Sequence, residues 1–195
     1  MTRSILTGVV LALFVLLWAG SGYAAIDPDT ILGIWLLDEG NGDFTEDASG
    51  NGNDGTLMGS PGWINGRFGS ALRFTGSSTH VNCGNADMLN VDLFSVSFWC
   101  NIPNTQGGNH IVSRGSHVAS GTPGSVNWGV MMYSGQQTIL YETFHDTAWT
   151  GINTPTTVNE WHHIVATFDG SAMELYHDGE LAASSPSGGT LLDAS

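Results

Sequence analysis

Phe94-Ser95-Val96-Ser97-Phe98-Trp99-Cys100-Asn101 is the stretch that decides the fold class. Phe94, Val96, Phe98 and Cys100 alternate with Ser95, Ser97, Trp99 and Asn101, and a period of two marks a β-strand with one buried face. Short runs of the same kind recur along the chain at Ile31–Leu37, Ala71–Phe74, His80–Cys83, His110–Arg114, Trp128–Tyr133, Thr138–Phe144, Trp161–Phe168, Met173–His177 and Glu180–Ala183. Gly, Asn, Asp and Pro separate them, and no apolar stripe at 3.6-residue spacing follows Ala25. The pattern predicts an almost all-β chain, a sandwich or barrel. His177-Asp178-Gly179-Glu180 lies between two of the runs, and Asp-Gly suits a two-residue hairpin turn because both positions tolerate positive φ. That turn sets His177 opposite Glu180 and Glu174 opposite Ala183. No internal repeat is visible, and Ser184–Gly189 is a short Ser/Gly-rich stretch.

The 195 residues include four arginines, no lysine and 18 carboxylates, for a formal net charge of −14. Nucleic-acid binding needs a basic stripe, and Arg67, Arg73 and Arg114 are too few and too scattered to make one. Charged residues are 11% of the chain against an average of about 25%, so Ser, Thr, Asn and Gly build the polar surface. Arg3, the apolar run Ile5–Trp18 and Gly22-Tyr23-Ala24 predict an export signal over residues 1–24, cleaved after Ala24. The run meets Gly20 and Ser21 short of the roughly 20 apolar residues that span a bilayer. The expected product is one secreted or extracellular domain, residues 25–195, with no membrane insertion after cleavage. No cysteine follows the cleavage point, which argues against a lipid anchor.

Gly50-Asn51-Gly52-Asn53-Asp54-Gly55 has dinucleotide-fingerprint spacing but lacks the preceding strand and the following helix, so it reads as a turn. Asp47, Ser49, Asn51 and Asn53 put oxygen side chains on alternate positions around a glycine, which suits calcium with Asp38 or Glu39 nearby. Met58 stands where an EF-hand supplies its glutamate, and a solvated Asn/Gly turn is the competing reading. Glu174 and Glu180 fall on opposite faces of the hairpin and cannot share a substrate as glycosidase carboxylates do. His162 and His163 are adjacent on a strand, so they face opposite ways and cannot jointly hold one ion. One is expected hydrogen-bonded in the core and the other at the surface. No Gly-x-Ser-x-Gly is present, and without lysine there is neither a phosphate-loop lysine nor a Schiff base. Cys83 and Cys100 are either a disulfide or two buried thiols. Trp35 and Trp161 read as packing residues. Trp128, Tyr133, Tyr141 and Trp149 lie in the Asn/Gly/Thr-rich middle, where loops can display them to a sugar ring.

Three stretches together resemble the laminin-G-like domains of the concanavalin A-like lectin/glucanase superfamily. They are Gly33-Ile-Trp35-Leu-Leu-Asp38-Glu39 with Asp47-Ala-Ser49-Gly-Asn51-Gly52; Gly69-Ser-Ala-Leu72-Arg-Phe74; and Trp161-His162-His163-Ile-Val-Ala-Thr-Phe-Asp169-Gly170 running into Leu175-Tyr176-His177-Asp178-Gly179. The resemblance covers roughly Ile31 to Ser185. It implies a jelly-roll sandwich of two antiparallel sheets. It also implies a non-catalytic module for carbohydrate or protein binding and adhesion, often with calcium, in larger extracellular proteins. The Glu-x-Asp-x-Glu catalytic strand of the glucanase branch is absent. The family's final strands, ending in a segment like Gly-x-Ile-Asp-Glu-Val, are expected to be missing, leaving a sheet edge unpaired.

These observations predict an exported lectin-like module whose partner is a carbohydrate or a cell-surface protein. A glycoside hydrolase or lyase on the same fold and a protein-interaction domain without a sugar site are the alternatives.

Overall fold

The alternation of Phe94–Asn101 is realised as a strand whose inward residues pack on the core while Ser95, Ser97, Trp99 and Asn101 face outward. The computed structural model describes residues 26–76, 78–103, 109–115, 126–133, 135–145, 148–187 and 191. The expected export signal lies outside them. The segment up to Ile31 forms a unit of its own. Its described part is a single 3-10 turn, Pro28–Thr30, capped by the Asp27 carboxylate accepting from Asp29 N.

From Leu32 onward the described residues are built of β1 (Phe44–Thr45), β2 (Gly55–Met58), β3 (Gly62–Asn65), β4 (Ser70–Arg73), β5 (His80–Asn82), β6 (Phe94–Asn101), β7 (Asn109–Gly115), β8 (Val126–Met132), β9 (Thr138–His145), β10 (Ala148–Pro155), β11 (Trp161–Phe168), β12 (Ala172–His177) and β13 (Glu180–Pro186), with a 3-10 turn at Asp87–Leu89. All pairings are antiparallel. Two four-stranded sheets, ordered β10-β9-β8-β7 and β13-β12-β11-β6, carry the sandwich, beside a β1-β2-β5 sheet and a β3-β4 pair. Val130, Ile139, Tyr141 and Ile152 of the first large sheet bury against Ile164, Ala166, Phe168, Met173 and Leu175 of the second. The alternation along Trp161–Phe168 is strict, every second residue being buried. Pro155 sits on β10, a sheet-edge strand, where its missing N–H costs no ladder bond.

Three expectations are corrected. Ile31–Leu37 does not form a strand; its one ladder contact is the isolated bridge Trp35↔Asp47, and Leu37 has φ 55°. Its polar groups are spent on the following loop instead, since Ile34 N donates to Asp47 Oδ1 and Trp35 Nε1 donates to the Asn53 carbonyl. Strands β1, β2, β3 and β10 form where no strand was expected, because their runs are Gly- and Thr-rich and their pairing comes from neighbours in space. In the β12–β13 hairpin His177 does face Glu180 across Asp178 (φ 52°) and Gly179 (φ 89°). A bulge beside Leu175/Tyr176 then shifts the register, so Glu174 pairs with Ser184 rather than Ala183.

Cys83 and Cys100 are free thiols. Burial, aided by the negative charge of Asp47 near Cys83 and of Asp178 near Cys100, pushes them up to about 11 and about 12 respectively. Alkylation with iodoacetamide near pH 8 is expected to modify neither in the native protein and both after denaturation, as read by intact mass, because the thiolate is the reactive form. A single native adduct would contradict the burial, and a mass two protons short would reveal a disulfide.

Candidate functional site: the outer face of the β7–β10 sheet

Inward placement of Ile139, Tyr141 and Thr143 sends Thr138, Leu140 and Glu142 of β9 to the opposite face. Register sets Gly129 of β8 and Gly151 of β10 on either side of Glu142. Gly129 has a steric reason, since a Cβ there would stand 2.5 Å from the His110 ring, which lies over it. His110 Nε2 comes within 3.5 Å of Glu142 Oε1, and both side chains are largely buried. Tyr133, Gln136, Thr138, Leu140 and Asn153 line a pocket of about 310 Å³ at one end of this face. Toward the other end Trp149, the register partner of Phe144, rests against its ring with centroids 4.9 Å apart. Tyr133 is 45% exposed and Trp149 43%. From Thr138, whose carbonyl accepts from Tyr133 N, to Phe144 is six strand steps, on the order of 20 Å. The face thus carries an exposed aromatic ring toward each end, with the pocket at the Tyr133 end.

The four aromatic candidates therefore divide. Tyr133 and Trp149 are presented to solvent, whereas Tyr141 is fully buried and donates from its hydroxyl to the Thr167 carbonyl across the sandwich. Burial raises the Tyr141 phenol well above its usual range. Trp128 stacks on Phe94, centroids 4.6 Å apart, and belongs to core packing. Both sit on regular strands, not in display loops, which removes them as sugar platforms. A second aromatic surface was not anticipated. Trp99 is met edge-on by Phe68 at 5.5 Å, stacked by His163 at 5.2 Å and covered by the Arg67 guanidinium at 5.3 Å. The outward parity of Trp99 in β6 was the sequence signal for it.

The calcium candidates are organised around the backbone. Asp47 is 4% exposed; its Oδ1 accepts from Ile34 N and Ser49 N, and its Oδ2 from Asn53 N, all at 2.9–3.0 Å. Ser49 Oγ accepts from Asn51 N, and the side-chain amides of Asn51 and Asn53 both donate to the Leu32 carbonyl. Asp54 Oδ1 accepts from Asp47 N and Glu39 Oε1 from Glu46 N, while Asp38 stands exposed nearby. The Asp47 and Asp54 carboxylates and the Ser49 hydroxyl thus accept from N–H groups within the loop. His162 and His163 do take opposite faces. His162 is buried and bonded to Thr157 and Asp178, and His163 is bonded to Ser97 on the outer face.

Residues 75–195, more than half of the chain, match the family Laminin_G_3, described as Concanavalin A-like lectin/glucanases superfamily. The chain belongs to this family. Solved structures share the lectin-like fold at low identity. The binding domain of Paraclostridial Mosquitocidal Protein 1 aligns with a TM-score of 0.60 at 17% identity, over 79% of this chain and 39% of that one. Domain 4 of AbnA, a GH43 extracellular arabinanase from Geobacillus stearothermophilus determined with arabinotriose, aligns at 0.58 and 15% identity, over 76% and 72%. An S-layer domain-containing protein from Clostridium thermocellum aligns at 0.51 and 19% identity, over 78% and 71%. This chain spans well under half of the mosquitocidal chain. No curated protein sequence matches it. Among the described residues, no helix of this lectin-like sandwich is long and apolar enough to cross a membrane.

Proposed function

We propose that this chain is an exported, non-catalytic module that binds a neutral polysaccharide along the outer face of the β7–β10 sheet. The observation that carries it is the pair of exposed rings, Tyr133 and Trp149, set toward the two ends of one sheet face, with a pocket lined by Gln136 and Asn153 beside Tyr133 and with Glu142 between the rings on β9. Aromatic faces stack on the apolar faces of sugar rings, and the amide and carboxylate groups between them accept and donate to hydroxyls. A net charge of −14 repels anionic glycans and favours neutral ones. Glu142 is the one carboxylate in strands β7–β10, whereas glycoside hydrolysis ordinarily uses a facing pair. That supports binding over cleavage.

Affinity electrophoresis of the exported chain, whose first residue is expected to be Ala25, tests this on gels containing arabinan, galactan, xylan or β-glucan. At least one polymer should retard it. Trp149→Ala and Tyr133→Ala should each weaken that binding about tenfold, as loss of roughly 1–1.5 kcal/mol from a stacked aromatic implies. Migration unchanged in every neutral polymer would refute the reading, and release of reducing ends would establish the hydrolase alternative instead. Calcium added to metal-stripped protein should leave the retardation unchanged if the 47–53 loop is the closed turn its bonds describe; a gain would assign Asp38 and that loop an ion. The Trp99–Phe68–Arg67 surface favours a second reading, a protein partner, which substitution of Trp149 would leave intact.

A further inference from the structure

At the β12–β13 turn, three potential ligand atoms converge. Asp178 Oδ2 lies 2.8 Å from His162 Nδ1 and 3.6 Å from His177 Nε2. Among the described residues, His162, His177 and Asp178 are the one group of three His, Cys, Asp or Glu whose donor atoms all lie within 4.8 Å of one another. Their partners set the tautomers. Thr157 Oγ donates to the Glu160 carboxylate at 2.7 Å, so toward His162 Nε2, 2.9 Å away, it can only accept. The Nε2 therefore carries the hydrogen, and in the neutral ring Nδ1 is a bare lone pair. The His177 ring donates to the Pro155 carbonyl, and since its Nε2 has no hydrogen-bond partner the donor is Nδ1. Its Nε2 is likewise a lone pair. Two imidazole nitrogens thus face one carboxylate oxygen, and the place between them is filled either by a proton on His162 Nδ1, as in the hydrogen bond to Asp178, or by a cation that displaces that proton.

We propose that His162 Nδ1, His177 Nε2 and Asp178 Oδ2 bind one zinc ion. Two imidazoles and a carboxylate are a borderline donor set suited to zinc, and three protein ligands leave the fourth tetrahedral position for water. Metal–ligand bonds of about 2.0–2.2 Å place ligand atoms about 3.4 Å apart, and the contacts of 2.8 and 3.6 Å bracket that value. The far side of each ligand is already held: His162 by Thr157, His177 by the Pro155 carbonyl, and Asp178 Oδ1 by His163 N at 2.8 Å. Such outer contacts orient metal ligands. The imidazoles are nearly enclosed, their side chains 10% and 17% exposed, while the Asp178 side chain is 50% exposed and opens the entry.

The test is zinc uptake by the full exported chain after metal stripping, followed by equilibrium dialysis against zinc alone and by thermal unfolding. One ion per chain is expected, with the melting temperature raised roughly 5–10 °C at a hundredfold excess of zinc over its dissociation constant. Asp178→Asn separates metal binding from folding. Asn tolerates the left-handed turn, its carbonyl can still accept from His163 N, and its amide can donate to a bare imidazole nitrogen. That variant should be as stable as the stripped parent and bind zinc at least a hundredfold more weakly. His177→Gln should lose the ion as well, and His163→Gln, on the outer face, should keep it. Absence of uptake by the parent protein, or uptake that survives both Asp178→Asn and His177→Gln, overturns the proposal.

Discussion

Replacing Tyr141 with alanine is expected to lower the unfolding free energy by about 3–5 kcal/mol, a fall of roughly 6–20 °C in melting temperature for a domain of this size. Tyr141 is wholly buried between the two large sheets. Its ring meets Phe94 edge-on at 6.4 Å, and its hydroxyl bonds to the Thr167 carbonyl. The alanine variant removes a large packed ring and leaves a cavity that strands on both sides cannot close without breaking register. Tyr141→Phe keeps the ring and drops one hydrogen bond, so it should cost about 1 kcal/mol. Because Tyr141 faces the core, Tyr141→Phe should leave polysaccharide retardation unaltered, while Trp149→Ala should do the reverse and leave stability nearly intact. Circular-dichroism melts and affinity gels on the same three proteins check this. A sugar-binding defect in Tyr141→Phe would mean that the ring is reached from the other face of the sheet.

Asp47→Ala is expected to cost about 3 kcal/mol, because it leaves the N–H groups of Ile34, Ser49 and Asn53 without their acceptor. The melting temperature should fall by roughly 6–12 °C. The same carboxylate gives the stability a pH dependence. Burial opposes its charge, but hydrogen bonds from the Ser49 side chain and from the three backbone N–H groups outweigh burial and hold the carboxyl below the usual aspartate value. A folded-state value below the unfolded one means that the unfolded chain takes up the proton first. The stabilisation is therefore complete above the ordinary aspartate range of about 3.9 and is lost as pH falls through the lower folded value. Melts from pH 7 to pH 3 should show a steep loss below about pH 4 that is shallower in Asp47→Ala. Glu39 and Asp169 are also held low, so some acid sensitivity should persist in the variant. An Asp47→Ala protein as stable as its parent at pH 7 would show that the 47–53 loop does not anchor the 32–37 segment.

Where both edges of a strand are paired and one face is buried, the chain reads plainly. Ile164, Ala166 and Phe168 turn inward and His163 outward, because the backbone alternates and only one face of β11 meets the core. Asp178-Gly179 is legible for a similarly local reason: few residue pairs occupy two successive positive-φ positions at low cost. Ile31–Leu37 misleads because its apolar content suits a strand while its polar groups are captured by Asp47 and Asn53. Tyr133 and Tyr141 look alike in sequence. One lies just past the end of β8 and the other in mid-β9 on the inward parity, a difference that depends on where each strand ends.

By itself the sequence determined the all-β class, the hairpin at Asp178-Gly179 and the opposed directions of His162 and His163, since each follows from backbone geometry within a few residues. Only the tertiary structure decided which sheet face is solvated, that Tyr133 and Trp149 share it while Tyr141 does not, and that His162 meets His177 and Asp178. A period of two relates the faces of one strand to each other. It does not say which strand lies alongside or where a ladder bulges, and the β12–β13 bulge, the place of β10 at the sheet edge and the meeting of His162 with His177 and Asp178 all depend on that pairing.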